Sequence, residues 1–112
     1  MKKSNLSDQV AEFILQCRNE ELAKLSVTKI ADIFDISESF LCRRFRTDKN
    51  ITVGKYIFRE RMFRAASLLI QKGQLTIKSL SETVGFYDYD YFIRTFKKFY
   101  GVPPSRYRDC KR

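Results

Sequence analysis

The chain has 112 residues, with 22 lysines and arginines against 13 acids, no histidine and a formal net charge of +9. That length fits one domain, or two small lobes sharing a helix. With no histidine, no glycine-rich phosphate loop and no grouped cysteines or carboxylates, the residues of an enzyme are missing, and Cys17, Cys42 and Cys110 are too scattered for a zinc site or a disulfide framework.

In chain order, Val10, Phe13, Ile14 and Cys17 fall at i, i+3, i+4 and i+7 and predict a first helix over 6–22, capped by Ser7 or Asp8. Ser26 or Thr28 opens a second, which runs to about Phe34. Asp35 occupies the turn, and aspartate tolerates a left-handed backbone better than most residues. Ser37 is the N-cap for a helix over 38–48, with Phe40, Leu41 and Phe45 apolar and Arg43, Arg44 and Arg46 basic; Asn50 suits a left-handed stop. Thr52 opens a long helix to about Gln71, ended by Gly73. Met62, Ala65, Ala66 and Leu69 make its core stripe, and Phe63 and Ile70 on its flank read as extra core rather than a partner surface. Helices follow over 77–84 and about 88–100, with Gly85 in the turn and Gly101 at the stop. Pro103-Pro104-Ser105 starts a last short helix, since proline suits a first turn. Disorder is expected only in the first five residues and the last two or three. With no long apolar run and no signal peptide, a soluble, cytoplasmic chain is expected.

Residues 25–57 and 75–108 repeat one pattern, at an offset of 50 that becomes 51 after one inserted residue. Leu25, Val27, Ile30 and Ile36 meet Leu75, Ile77, Leu80 and Phe86. Leu41, Arg43, Phe45, Arg46, Ile51 and Tyr56 meet Phe92, Arg94, Phe96, Lys97, Val102 and Tyr107. Short helix, tight turn and longer basic helix outline a helix-turn-helix. The fold expected is all-α, with about seven helices: one helix-turn-helix lobe over about 6–50, a linker helix over about 52–71, and a second lobe over about 75–112. Each repeat is too short to be comfortable alone and must lean on other helices.

Charge follows the repeat. Segment 43–64 holds eight cations and two acids, segment 94–112 seven cations and one acid, and the remainder seven cations and ten acids. A solvated surface accounts for a basic sum, but two matched blocks favour a polyanion with a repeating backbone. The linker helix, about 30 Å long at 1.5 Å per residue, is close to the roughly 34 Å between successive major-groove faces of B-DNA. A rigid helix of that length suits two reading helices one turn apart.

Gly85-Phe86, Tyr91-Phe92-Ile93-Arg94, Phe96-Lys97-Lys98, Gly101, Pro103-Pro104-Ser105 and Tyr107-Arg108 closely resemble the signature of AraC/XylS-family transcriptional regulators. Ile30-Ala31, Ser37, Leu41, Arg43, Phe45, Tyr56-Ile57, Arg61-Met62, Ala66 and Leu68-Leu69 fit the first half of the same domain, so the resemblance covers about residues 8–109. Asp35 and Asn50 depart from the glycines common there, yet are the residues best able to replace them. The resemblance implies a domain of seven helices that binds double-stranded promoter DNA and activates transcription by recruiting RNA polymerase, with no cofactor. Most of the family carry a further domain that senses a ligand, receives a phosphoryl group or dimerises. The chain is therefore read either as a stand-alone regulator or as the C-terminal piece of a larger protein. The alkyl-transfer repair activity found attached to this fold elsewhere needs a clustered-cysteine zinc site, which the sequence lacks.

Matching positions of the family motif make Ser39, Phe40, Cys42 and Arg43 the base-reading candidates of the first lobe, and Tyr89, Asp90, Ile93 and Arg94 those of the second. Arg43 and Arg94 are equivalent, and arginine bonds bidentately to guanine O6 and N7; a phosphate or salt-bridge contact is the alternative. Tyr89 packs on a thymine methyl or reaches a phosphate. Asp90 accepts from a cytosine amino group, supports a neighbouring arginine or caps the helix. Ile93 and Cys42 suit a thymine methyl, and nothing near Cys42 suggests a redox partner. Phosphate contacts, which fix register, are expected from Lys29, Ser37, Arg44, Arg46, Lys49, Lys78, Lys97, Lys98 and Arg108, with backbone N–H donors near Thr28 and Ile77. Phe45, Phe96, Tyr56 and Tyr107 are core.

These expectations describe a sequence-specific regulator with two unlike half-sites. Two other readings compete with it. A non-specific architectural DNA-binding protein would leave duplicated reading modules superfluous. An interaction module would use Phe63, Ile70 or the acidic first helix.

Overall fold

The computed structural model describes residues 5–71 and 75–111, and the side chains of 5–71 and 75–109. The expected stop at Gly73 and the expected disorder of residues 1–4 and 112 lie outside them. Among the described residues the chain is helical throughout: α1 (Leu6–Gln16), α2 (Asn19–Ala23), α3 (Val27–Phe34), α4 (Glu38–Lys49), α5 (Val53–Gln71), α6 (Ile77–Thr83), α7 (Tyr89–Tyr100) and α8 (Pro104–Lys111). None of these helices is long and apolar enough to cross a membrane.

That is one helix more than the sequence predicts, because the helix expected over 6–22 breaks at Cys17 and Arg18, whose backbones are extended. The reason lies in the periodicity. Three and four residues beyond Cys17 stand Glu20 and Glu21, which an unbroken helix would carry onto its buried stripe. The break re-aims the chain, so that Leu22 and Leu25 are buried and both glutamates are exposed. Glu21 turns back to accept the Arg18 backbone N–H at 2.7 Å, and that bond holds its carboxyl below the ordinary glutamate value.

The first cap also differs from expectation. Neither Ser7 nor Asp8 caps α1; Asn5, expected to be disordered, does, its side-chain oxygen accepting the Asp8 N–H at 2.8 Å. Ser7 is buried, its hydroxyl 2.6 Å from Asp48 Oδ2 and 3.3 Å from the Arg44 carbonyl, so it ties α1 to α4.

The chain divides into two compact units, Met1–Glu60 and Arg61–Arg112, and α5 contributes residues to both. The first unit buries Val10 and Ile14 of α1, Leu22, Leu25, Ile30 of α3, Leu41 and Phe45 of α4, and Val53 and Ile57 of α5 in one core. Among the buried residues of the second are Met62, Ala65, Ala66 and Leu69 of α5, Leu80 of α6, Val84, Phe86, and Phe92 and Phe96 of α7. Phe63 and Ile70 are not extra core: they are 62% and 48% exposed. Met62, Ala65, Ala66 and Leu69 already fill the buried stripe, and a side chain one position round the helix points away from it.

The repeat persists down to single hydrogen bonds. Ser26 caps α3 by accepting from the Lys29 N–H at 3.1 Å, and Thr76 caps α6 by accepting from Ser79 at 3.0 Å. The Ile36 N–H returns to the Ala31 carbonyl at 3.0 Å, and Phe86 to Ser81 at 2.9 Å. Asp35 and Gly85 take left-handed turns at φ 56° and 99°, and Asn50 and Gly101 end the longer helices at φ 59° and 86°. Ser37 caps α4 through the Phe40 N–H at 3.1 Å and Asp88 caps α7 through Tyr91 at 3.0 Å. The shift of offset falls between Phe86 and Asp88, so the inserted residue is Tyr87, 78% exposed, in the turn of the second motif.

Candidate nucleic-acid interface

Burial decides which face each longer helix offers. In α4, Leu41 and Phe45 point inward, leaving Ser39, Phe40, Cys42, Arg43, Arg44 and Arg46 exposed. In α7, Phe92 and Phe96 point inward; Tyr89, Asp90, Arg94, Lys97 and Lys98 are exposed and Ile93 is half-buried. Within each unit, the candidate base-reading residues therefore share one helix and its uncovered side.

The two arginines are held alike. Arg43 donates its Nε–H to the Ser39 carbonyl at 3.3 Å, and Arg94 donates its own to the Asp90 carbonyl at 3.4 Å, each one turn back along its helix. A guanidinium has five N–H donors. Using Nε against the backbone leaves the terminal amino groups for a planar two-acceptor partner. Asp88, not Asp90, supplies the cap of α7, so capping is not what Asp90 does.

Shallow grooves lie against both faces. Phe40, Arg43, Arg44 and Thr47 line one of about 290 Å³ on α4. Thr47 was not among the expected residues, although it stands four residues beyond Arg43, the helical spacing that signals a shared face. On α7, Tyr89, Asp90, Ile93 and Arg94 form one wall of a groove of about 550 Å³; Ile77 and Pro103, Pro104 and Ser105 form the rest.

The phosphate candidates divide. Lys29, Arg46, Lys78, Lys97 and Lys98 are exposed. Arg46, Lys97 and Lys98 also stand in the last turns of their helices, where cations complement the dipole. Arg44 is half exposed and pairs with Asp48 at 3.2 Å. Ser37 uses its oxygen lone pair as the cap of α4. At the two helix starts expected to offer N–H donors, Ser26 and Thr76 already satisfy one each, and the Thr28 hydroxyl donates to Glu38 at 3.1 Å.

Two candidates, Lys49 and Arg108, are bonded within the chain. Lys49 donates to Asp8 across to α1, and that bond raises its ammonium above the ordinary lysine value. Because the folded value is raised, the stabilisation is fully present below the ordinary lysine range and is lost only as pH rises through the raised one. Arg108 is part of the fold: Nε donates to the Leu69 carbonyl at 3.2 Å and a terminal nitrogen to the Leu75 carbonyl at 2.8 Å, joining α8 to α5 and to the start of the second motif. Arg108→Met is expected to leave both carbonyls without this donor and to destabilise the chain by about 1–3 kcal/mol in urea unfolding. The salt dependence of any DNA binding should stay unchanged; a shallower dependence at unchanged stability would return Arg108 to the phosphate contacts.

A helix-turn-helix domain model matches residues 30–109. The Msm operon regulatory protein of Streptococcus mutans is 36% identical over 86 residues, covering 77% of this chain and 31% of that protein. The xylose operon regulatory protein of Escherichia coli K12 is 35% identical over 92 residues, 82% of this chain and 23% of that protein. The chain thus spans less than a third of the length of these curated relatives. Among solved structures, the C-terminal domain of AraT, a response regulator from Geobacillus stearothermophilus, superposes with a TM-score of 0.84 at 26% identity, covering 98% of this chain and 88% of that one.

Proposed function

This chain belongs to the AraC/XylS family of helix-turn-helix domains, and on that premise we propose that it binds double-stranded promoter DNA sequence-specifically, as part of a transcription activator, with α4 and α7 entering adjacent major grooves. The observation that carries the reading is the matched pair Arg43 and Arg94, each exposed on the uncovered side of its helix and each braced on the carbonyl four residues back. A braced guanidinium presents two parallel donors to guanine O6 and N7, the commonest specific contact in the major groove. Ser39, Phe40 and Cys42 flank Arg43, whereas Tyr89, Asp90 and Ile93 accompany Arg94. Unlike neighbours mean unlike half-sites, so the operator read by one chain is asymmetric. Contact with RNA polymerase, and a sensor, receiver or dimerisation domain acting on this one, belong to the same proposal.

Selection of binding sites from random duplex DNA tests it. The wild-type chain should recover an asymmetric site with two clusters of preferred bases about one helical turn apart. Arg43→Ala and Arg94→Ala should each weaken binding by about 1–3 kcal/mol and relax preference at one base pair. Equal loss on every sequence would remove both arginines from base reading. Equal affinity for selected and random duplexes would instead support the architectural alternative.

A further inference from the structure

The first turn of a helix is the positive end of its dipole, where a cation is disfavoured. Lys29 of α3 and Lys78 of α6 stand there, and so do Lys55 of α5 and Arg106 of α8, the two that the repeat aligns with each other. Lys55 stands third in α5 and Arg106 third in α8, and the offset of 51 that aligns α4 with α7 aligns these two as well. Both are exposed, and neither makes an ion pair among the described residues.

The neighbouring residue fixes the position of each. Tyr56 packs edge-on against Phe45 of α4, with ring centroids 5.4 Å apart at 76°. Tyr107 packs against Phe96 of α7, also at 5.4 Å, at 83°. The Tyr56 N–H bonds to the Thr52 carbonyl at 3.0 Å and the Tyr107 N–H to Pro103 at 2.9 Å. In each unit, then, the helix that follows the candidate reading helix docks on it through the same joint, and the cation lies beside that joint. The residue before each cation leaves the approach open. Nothing lies within 4 Å of where a Cβ on Gly54 would stand, and Ser105 is exposed at the rim of the groove that Arg94 lines.

We propose that Lys55 and Arg106 are a matched pair of backbone-phosphate contacts, one in each unit, that seat α4 and α7 against the DNA strand beside them. The proposal rests on the DNA-binding reading above. Among the described residues no ion pair offsets the cation at either of these two helix starts; a phosphate brought by the duplex would. Its place in both copies of the repeat separates this charge from the scattered lysines of a solvated surface.

The test uses the 112-residue chain and duplex DNA between about 50 and 200 mM salt. Lys55→Gln and Arg106→Gln are each expected to reduce the slope of log affinity against log salt by about 0.9, and the double variant by about 1.8, with the same loss on selected and random duplexes. Lys55→Arg and Arg106→Lys should keep the slope. Thermal midpoints of the neutral variants should not fall, because each loses a cation from a helix start. An unchanged slope in the double variant, with wild-type binding intact, overturns the pair and leaves the DNA-binding reading standing. A lowered midpoint with unchanged slope also overturns it, by assigning both residues to the fold. Failure of the wild-type chain to bind duplex DNA at about 50 mM salt overturns the DNA-binding reading and the pair together.

Discussion

Truncating Phe96 to alanine is expected to destabilise the protein by about 3–5 kcal/mol, the largest effect of any single substitution considered. Its side chain is fully buried and meets Phe92 at 5.7 Å, Tyr100 at 4.7 Å and Tyr107 at 5.4 Å between centroids. Removing the ring takes away the transfer free energy of a buried aromatic, and neighbours that are themselves stiff rings cannot collapse into the hole. A small domain has roughly 5–15 kcal/mol in total, so the variant should be substantially unfolded near physiological temperature. Phe45→Ala, at the equivalent place with Tyr56 against it, should be nearly as severe. Phe63→Ala deletes the same atoms at an exposed position and should stay within about 0.5 kcal/mol of wild type. Urea unfolding of the three variants gives the order. A loss for Phe96→Ala as small as that for Phe63→Ala would mean that the aromatic cluster does not hold the second unit together.

Affinity for duplex DNA is expected to fall steeply with salt. Six of the phosphate candidates are exposed cations, namely Lys29, Arg44, Arg46, Lys78, Lys97 and Lys98. At about 0.9 per neutralised phosphate, they give a slope near −5.4 and a loss of roughly 10³-fold between about 50 and 200 mM salt. Adding Lys55 and Arg106 steepens the slope to about −7 and the loss to roughly 10⁴-fold. Fluorescence anisotropy with a labelled duplex over that range measures both. Because the term reads charge and not sequence, selected and random duplexes should share most of the slope and differ in offset. A slope near −2 would mean that most of the two basic blocks is ordinary solvated surface.

What the sequence made legible is what local chemistry determines. Ser37, Asp35 and Asn50 announce their turn and cap positions because the bonds they make reach only a few residues along the chain. The repeat, the all-helical class and the buried stripes follow from periodicity in the same way. What stayed hidden lies where partners are distant. Arg108 looks like one more surface cation until folding brings the carbonyls of Leu69 and Leu75, more than thirty residues away, within reach. Lys49 meets Asp8, and Ser7 meets Asp48, over separations of 41 residues. Phe63 and Ile70 fail for a different reason: an apolar residue at the edge of a stripe is compatible with either side of the boundary, and only the packed stripe decides it. The split at Cys17 was readable in principle from Glu20 and Glu21, which sit where a continuous stripe would need apolar side chains. Among the candidate interface residues, the exposed face of each longer helix was legible from its apolar positions, whereas the bracing of Arg43 and Arg94 depends on side-chain rotamers that no sequence pattern specifies.

The matched left-handed residues have a consequence for how such a chain can change. Residues 37–50 and 88–101 enter from the same kind of capping residue and leave through the same kind of reversal, at equal length. Each behaves as a cassette whose inner side is written in the grammar of the core and whose outer side is free text. Rewriting Ser39, Phe40 and Cys42, or Tyr89 and Asp90, changes exposed positions only and is expected to leave Leu41 and Phe45, or Phe92 and Phe96, seated where they are. Two modules of one fold can thus present two different outer surfaces, with no change to what holds either together.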